Sequence, residues 1–188
     1  MNEATESSKP KSICLVEDAF STCFFKEFKT ILTGGAKEPI YLPAKTKNEP
    51  NRLYYRGDYI SSALHEAAHW CLAGDDRRER IDFGYWYIPE GRDTWQQANF
   101  ESMEARPQAL EWFFSLASNC RFHLSLDNYC NLAEYNRKAF AQSVVQQAET
   151  FIIQGLPNRA NLFFLELTKS FGTSLIPNEI QFETNSLL

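Results

Sequence analysis

Two histidines, four residues apart in a stretch with helical periodicity, constrain the fold of this chain more than any other feature. They are His65 and His69 in the segment ALHEAAHWCLAG, which covers residues 63–74. Side chains at positions i and i+4 of an α-helix lie on the same face, so both imidazoles can reach one metal ion. The sequence therefore predicts a metal-binding helix, with Glu66 beside the first histidine.

The helix that carries these histidines is predicted to extend from Tyr59 to Ala73. Asp58 is a candidate N-cap residue, and Gly74 is a candidate C′ residue. The histidines lie on a polar face next to an apolar one. That apolar face recurs with the helical period and is expected to pack on the core; it consists of Ile60, Leu64, Ala67, Ala68, Cys71 and Leu72.

The remaining patterns predict an α+β fold, mainly helical, with a small sheet. A helix is expected over about residues 13–32, ended by Gly34 and Gly35. Short strands are expected at EPIYLPA, NRLYYRGDY and FGYWYIP. Residues 93–119 are predicted to form two helices separated near Pro107. Two further helices are predicted at Tyr135–Gln154 and Arg159–Phe171, the second one closed by Gly172.

Length, charge and cysteine content indicate the number of domains, the classes of partner and the cellular compartment. The 188 residues suffice for one core, so a single domain is expected at residues 13–188 after a disordered tail at residues 1–12. The net charge is −5 with dispersed basic residues, and no apolar run is long enough for a membrane helix, so neither nucleic acid nor a membrane is expected as partner. The N-terminus lacks a signal-peptide pattern. Five cysteines without a CxxC pair favour free thiols in a reducing cytoplasm.

A third metal ligand is expected, because two imidazoles alone rarely hold a divalent ion firmly. Glu101 and Glu104 are the candidates. Glu104 is preferred since it approaches the helix predicted to open at Pro107, from which a carboxylate can be directed towards another helix. Glu101 is the reserve. The third histidine of the chain, His123, is predicted to be structural.

Two histidines and one carboxylate suit two chemistries, and their spacing does not choose between them. With zinc they form a hydrolytic site, with Glu66 as general base. With ferrous iron they form a triad that leaves positions for dioxygen and a substrate. A third alternative is a non-catalytic binding module with structural histidines. No histidine begins the His-x-Asp run usual in 2-oxoglutarate-dependent hydroxylases, and the chain is rich in helices, so 2-oxoglutarate is not expected.

Four blocks of the sequence, in their order and spacing, resemble the bacterial elongation factor P hydroxylase family. They are EPIYLPA, HEAAHWCLAG, RRERIDFGYWYIPEGRD and FESMEARPQALEWFF. The resemblance covers about residues 15–170. It implies a non-haem iron enzyme that uses dioxygen, although zinc can replace iron in such a site. The implied substrate is elongation factor P with its lysine already extended by a β-lysyl group, and hydroxylation would be the last step of that modification.

The resemblance also implies site residues. The metal motif of the family falls on His65, Glu66 and His69, in an arrangement similar to that of zinc peptidases. Glu101 and Glu104 both match glutamates of the family pattern, so the third ligand stays open. In a hydroxylase, Glu66 could orient water or oxygen at the metal, or pair with a cationic substrate amine.

Five residues of the third block are candidates for the entrance to the metal site. The aromatic ones have an alternative role, since aromatic side chains also pack on sheets. The five are Tyr85, Trp86, Tyr87, Arg92 and Asp93.

Overall fold

The computed structural model describes residues 9–82, 94–126 and 133–188. Within these ranges the chain forms six α-helices, three β-strands and two short 3-10 helices. The α-helices and strands, in chain order, are α1 (Lys11–Phe28), β1 (Thr30–Ala36), β2 (Ile40–Leu42), β3 (Asn51–Arg56), α2 (Ile60–Leu72), α3 (Asp75–Arg78), α4 (Thr94–Ala117), α5 (Ala133–Gln154) and α6 (Asn158–Phe171). The 3-10 helices are Pro177–Glu179 and Thr184–Leu187.

Helix α1 ends earlier than the sequence predicted, and strand β1 replaces its expected last turn. Lys29 adopts the left-handed conformation, with a φ of 47°, and ends the helix at Phe28. The next residues include β-branched side chains, and Thr30 and Leu32 are buried while Ile31 between them is half-buried. The prediction of a helix to residue 32 was wrong, because Ile31 and Leu32 fit the helical period and the strand period equally.

Gly34, which was expected to end that helix with Gly35, lies inside β1. A Cβ atom here would lie 2.5 Å from Oδ1 of Asp58 and 2.6 Å from the hydroxyl of Tyr55, so the close approach requires glycine. The Asp58 carboxylate thus lies against β1, and the prediction that it caps α2 was wrong. Tyr59 occupies the N-cap position of α2 without a side-chain hydrogen bond.

The sheet has the strand order β1-β3-β2 and lies before the histidine-bearing helix in the chain. β1 is parallel to β3, with Leu32 opposite Leu53, and β2 is antiparallel to β3, with Tyr41 opposite Leu53. Beyond β2, the backbone of Tyr41 exchanges two hydrogen bonds with that of Asp82, with N–O distances of 2.7 and 3.1 Å. The strand predicted at residues 83–89 lies outside the described residues.

Helix α4 is continuous through Pro107, so the prediction of two pieces was wrong. A proline inside a helix costs about 3 kcal/mol or more, because it removes a hydrogen bond and crowds the preceding turn. Buried side chains lie on both sides of it, among them Phe100, Leu110 and Phe113. Burying a side chain of this size contributes about 1.5–3 kcal/mol. Tertiary burial therefore outweighs the local preference and keeps one helix.

The C-terminus of α2 is closed by two arginines, and Gly74 does not act as the predicted C′ residue. Gly74 has a φ of −68°, outside the left-handed region, and starts α3. The Arg159 guanidinium donates hydrogen bonds to the carbonyl oxygens of Cys71 and Ala73, and Arg78 donates to that of Ala73. These cations satisfy carbonyl groups that a helix end leaves unpaired, and they interact favourably with the helix dipole.

An aromatic cluster holds α1, α2 and α6 together. Its ring centroids lie 4.7 to 6.1 Å apart, mostly in edge-to-face or tilted pairs. Such pairs add about 0.5–1.5 kcal/mol each beyond the burial of their area. We define the aromatic cluster as Phe20, Phe24, Phe28, Trp70 and Phe163.

The other predictions for the fold agree with the structure. The apolar face predicted for α2 is buried or half-buried against the core. Helices α1, α5 and α6 begin within two residues of their predicted starts, and Gly172, with a φ of 68°, ends α6. A predominantly helical α+β fold with a small sheet is confirmed.

Four of the five cysteines, Cys14, Cys23, Cys71 and Cys120, are free thiols, as predicted. Cys130 lies outside the described residues. Among the helices of the described ranges, none combines the length and the hydropathy needed to cross a bilayer.

Candidate metal centre

Helices α2 and α4 pack against each other and bring three donor side chains together. The Nε2 atoms of His65 and His69 on α2 lie 3.0 Å apart. The carboxylate of Glu104 on α4 places Oε1 3.3 Å from Nε2 of His69 and Oε2 3.6 Å from Nε2 of His65. We call these three residues the donor group. Their ligand atoms converge on one point between two helices.

The spacing within the donor group fits a bound divalent ion. Bonds from such an ion to imidazole nitrogen and carboxylate oxygen measure about 2.0–2.2 Å, so neighbouring donors at octahedral or tetrahedral angles lie about 2.8–3.6 Å apart. The observed separations of 3.0, 3.3 and 3.6 Å match this range. Nitrogen and carboxylate donors suit zinc and ferrous iron alike. The donor group therefore accommodates both metals considered from the sequence.

Of the two candidate glutamates, the structure brings Glu104 to the histidines. Glu104 is only 3% exposed, whereas Glu101, one turn earlier on α4, is half-buried and does not belong to the donor group. The reason given for preferring Glu104, a helix start at Pro107, was wrong. Its position follows instead from the continuous packing of α4 on α2.

The buried carboxylate of Glu104 is held in its ionised form. Burial alone would raise the pKa of this carboxyl, but the two histidines and a hydrogen bond from Gln108 lower it to about 2. The side-chain amide of Gln108 is itself fixed, because it donates to the carbonyl oxygen of Ser125 at 2.8 Å and accepts from the amide of Ser125 at 3.1 Å. A permanent negative charge therefore faces both imidazoles.

His65 has a second carboxylate partner, on the other side of its ring. Its Nδ1 lies 2.8 Å from Oε2 of Glu111, a residue that is 6% exposed. Burial opposes a charge on His65, but the glutamates around it raise the pKa of the imidazole to about 10. A metal ion that binds Nε2 of His65 must therefore displace a proton.

Glu66 lines a pocket at the edge of the sheet together with His69. Tyr41, Arg77 and Asp82 also line this pocket, and the Arg77 guanidinium pairs with the Asp82 carboxylate. Burial raises the pKa of the Glu66 carboxyl. The Glu66 carboxyl group lines the pocket beside His69, so it can bind a cationic group that enters the pocket, or exchange a proton with that group.

Sequence comparisons identify the family to which this chain belongs. A family model described as elongation factor P hydroxylase matches residues 19–182. The chain belongs to the elongation factor P hydroxylase family. The elongation factor P lysine hydroxylase of Haemophilus influenzae is 40% identical over 168 residues, which cover 89% of this chain and 94% of that protein. The resemblance seen in the four sequence blocks is thereby confirmed.

Glu111 contacts the donor group through His65, and the sequence patterns did not predict this residue. The signal was present, because Glu104 and Glu111 are seven residues apart, which is about two turns of one helix. The break predicted near Pro107 separated them into different elements. A continuous helix through residue 107 would have placed both carboxylates on the face that meets α2.

Of the other residues considered from the sequence, His123, predicted to be structural, does not belong to the donor group, and the candidates for the entrance lie outside the described part of the chain. His123 is exposed in the segment that follows α4. Asp82, the last described residue before residue 94, lines the pocket. The candidates for the entrance all fall in the segment 83–93 that follows, and they are Tyr85, Trp86, Tyr87, Arg92 and Asp93.

Proposed function

We propose that this protein hydroxylates a lysine side chain of elongation factor P at a metal ion held by His65, His69 and Glu104. The family model covers most of the chain, and the relative from Haemophilus influenzae is named for this reaction. The single observation that carries the assignment of the site is the convergence of these donors in a member of a hydroxylase family. The three residues would fix the ion where α2 meets α4.

We assign ferrous iron to this site. Iron held by two histidines and one carboxylate supplies the oxygen-dependent redox chemistry that hydroxylation of a C–H bond needs, whereas zinc has no redox chemistry. The protein contributes a charged carboxylate in Glu104, which offsets part of the charge of a divalent cation. It also shields the donors, since the side chains of His69 and Glu104 are 12% and 4% exposed.

We further assign the β-lysylated lysine of elongation factor P as the substrate group, and its hydroxylation as the last step of the modification. The pocket beside His69 supports this assignment, because Glu66 lines it. The extended lysine carries cationic amines, and a half-buried carboxylate such as that of Glu66 can bind an ammonium group through charge-assisted hydrogen bonds. Glu66 would thus hold an amine and orient a side-chain carbon towards the donor group.

The reaction is proposed to take place in the cytoplasm. Cys14, Cys23, Cys71 and Cys120 are free thiols, which is the state that a reducing compartment maintains. Ferrous iron and translation factors share that compartment.

A mass-shift assay tests the proposed function. The protein is purified without oxygen, loaded with Fe(II), and mixed with β-lysylated elongation factor P and the reductant ascorbate before air is admitted. One oxygen atom of O2 would enter the C–H bond, and two electrons from the reductant and two protons would convert the other oxygen atom into water. We expect the modified peptide to gain the mass of one oxygen atom, and we expect no gain when air is withheld. A substrate that stays unchanged with iron, ascorbate and oxygen all present would refute the proposed activity.

Unmodified elongation factor P is the substrate control. It should gain little or no oxygen, because it lacks the β-lysyl amine that Glu66 is proposed to bind. Equal hydroxylation of both forms would leave the enzyme a hydroxylase but would show the β-lysyl requirement to be wrong.

A further inference from the structure

We propose that Glu111 is a positioning residue that holds His65 as a metal ligand by accepting a hydrogen bond from its Nδ1–H. The inference rests on the proposed metal site and adds a residue that binds neither metal nor substrate.

The geometry of the hydrogen bond selects which ring nitrogen faces the ion. The distance of 2.8 Å between Nδ1 and Oε2 is typical of a charge-assisted bond. A histidine whose Nδ1 carries the donated proton presents its Nε2 lone pair to a metal. Nε2 of His65 is the atom that lies 3.0 Å from Nε2 of His69. The bond to Glu111 therefore favours the tautomer that the donor group needs.

One helix supplies both carboxylates that contact the His65 ring. Glu104 faces Nε2 and Glu111 faces Nδ1, so the imidazole lies between two side chains two turns apart on α4. Rotation of the ring would break the short bond to Glu111. Helix α4 therefore provides a ligand of its own and also orients a ligand from α2.

The burial of Glu111 indicates that this contact is built into the fold. A carboxylate with 6% exposure has lost most of its hydration, which is costly unless charged or hydrogen-bonding partners replace the water. The hydrogen bond from His65 provides such a partner. His65 is the more exposed of the two histidines, with a side-chain exposure of 25% against 12% for His69.

Metal affinity of three variants provides the first test. Glu111→Met keeps the length of the side chain and removes the acceptor, whereas Glu111→Gln keeps a neutral acceptor oxygen. Ser115→Ala, at a buried position one turn further along α4, is the matched control. Zinc affinity is measured by competition with a chelator, and the fold by circular dichroism. We expect Glu111→Met to weaken binding about 10–100-fold, Glu111→Gln to weaken it less, and Ser115→Ala to leave it unchanged.

The Nδ1–H proton of His65 provides a second readout that a merely structural role would not move. In the diamagnetic zinc-loaded protein, we expect this proton to give a downfield, slowly exchanging NMR signal. The signal should shift in Glu111→Gln, because the acceptor loses its charge, and disappear in Glu111→Met. If Glu111→Met fails to fold, the shift in Glu111→Gln decides, and an unchanged signal there overturns the inference.

The outcomes separate this inference from the proposed function. Wild-type protein that binds no metal through its histidines would overturn the metal site, and the role of Glu111 with it. Wild-type protein that binds zinc, with a folded Glu111→Met variant of equal affinity and unchanged signal, would overturn the role of Glu111 alone.

Discussion

The aromatic cluster and the donor group contact different sides of helix α2, and they contribute to the molecule in opposite ways. On one side, Trp70 packs among three phenylalanine rings of α1, two of which also contact Phe163 of α6, and each buried ring adds to the stability of the fold. On the other, the α2 histidines meet two buried glutamates, which lose hydration when the chain folds.

The difference between the two sides shows how one helix can serve both folding and chemistry. Removing a ring from the aromatic cluster should change the free energy of unfolding and leave metal affinity alone. Removing a donor should abolish metal binding, and it should lower the stability of the metal-free fold only because a buried carboxylate loses a partner. The comparison fails if loss of a ring from the aromatic cluster weakens metal binding as much as loss of a donor does.

The largest effect is expected from removing a donor. His69→Ala should abolish hydroxylation and reduce bound metal to background, because one histidine and one carboxylate make an incomplete set. Metal content and the mass shift of elongation factor P are the measurements. The metal-free variant should still fold but should lose up to about 3–5 kcal/mol of stability, because the buried carboxylate of Glu104 loses one of its two histidine partners. A variant that keeps one iron per chain would contradict the ligand assignment.

The second-largest effect is expected from removing a ring of the aromatic cluster. Phe163→Ala removes a fully buried ring that contacts Phe20 and Phe24, so the free energy of unfolding should fall by about 3–5 kcal/mol. Urea denaturation followed by circular dichroism measures the loss. Zinc affinity, taken at low temperature where the variant is folded, should match that of the wild type. A parallel loss of affinity would show that the two sides are coupled.

A smaller effect is expected from changing Glu66, which lines the pocket beside His69. Glu66→Gln should retain metal and hydroxylation but raise KM for β-lysylated elongation factor P about 10-fold, since a hydrogen bond to a charged group is worth about 1.5–3 kcal/mol. Steady-state kinetics give KM and kcat separately. A zinc peptidase would instead work without oxygen and lose its activity completely, because Glu66 would be its general base.

The smallest effect sharpens the choice of the third ligand. Glu101→Gln should leave metal affinity unchanged, whereas Glu104→Gln should weaken it strongly, because only the second residue faces Nε2 of both histidines. Both variants neutralise one glutamate on the same helix, so each controls for the other. Equal losses in a chelator competition would show that the donor group is larger than three residues.

Local patterns in the sequence predicted helix α2 and its two histidines, because the spacing of four residues is a property of one helix. The helix break near Pro107 was wrong, since a local preference could not show how many side chains α4 buries on both sides of the proline. The same error hid Glu111.

The predictions for Gly34 and for the end of α2 were wrong for the same reason, because contacts with distant parts of the chain decide both. Gly34 is needed for a close approach to Asp58 and Tyr55, which are more than 20 residues away in the chain. The end of α2 depends on Arg159 from a helix that follows much later. Contacts between distant segments decide both positions, and no short window of sequence contains them.

The two arginines at the end of α2 affect how firmly the two imidazoles are held in place before a metal ion binds. A helix held only by apolar contacts can slide or turn slightly among similar packings. Arg78 and Arg159 bind its last carbonyl groups and lie over the rings of Phe28 and Trp70, at 5.1 to 5.7 Å from the ring centroids. They fix the rotation and height of α2 relative to α1 and α6. The imidazoles are thus preorganised, so a metal ion that binds at the proposed site would lose little free energy to the ordering of its ligands.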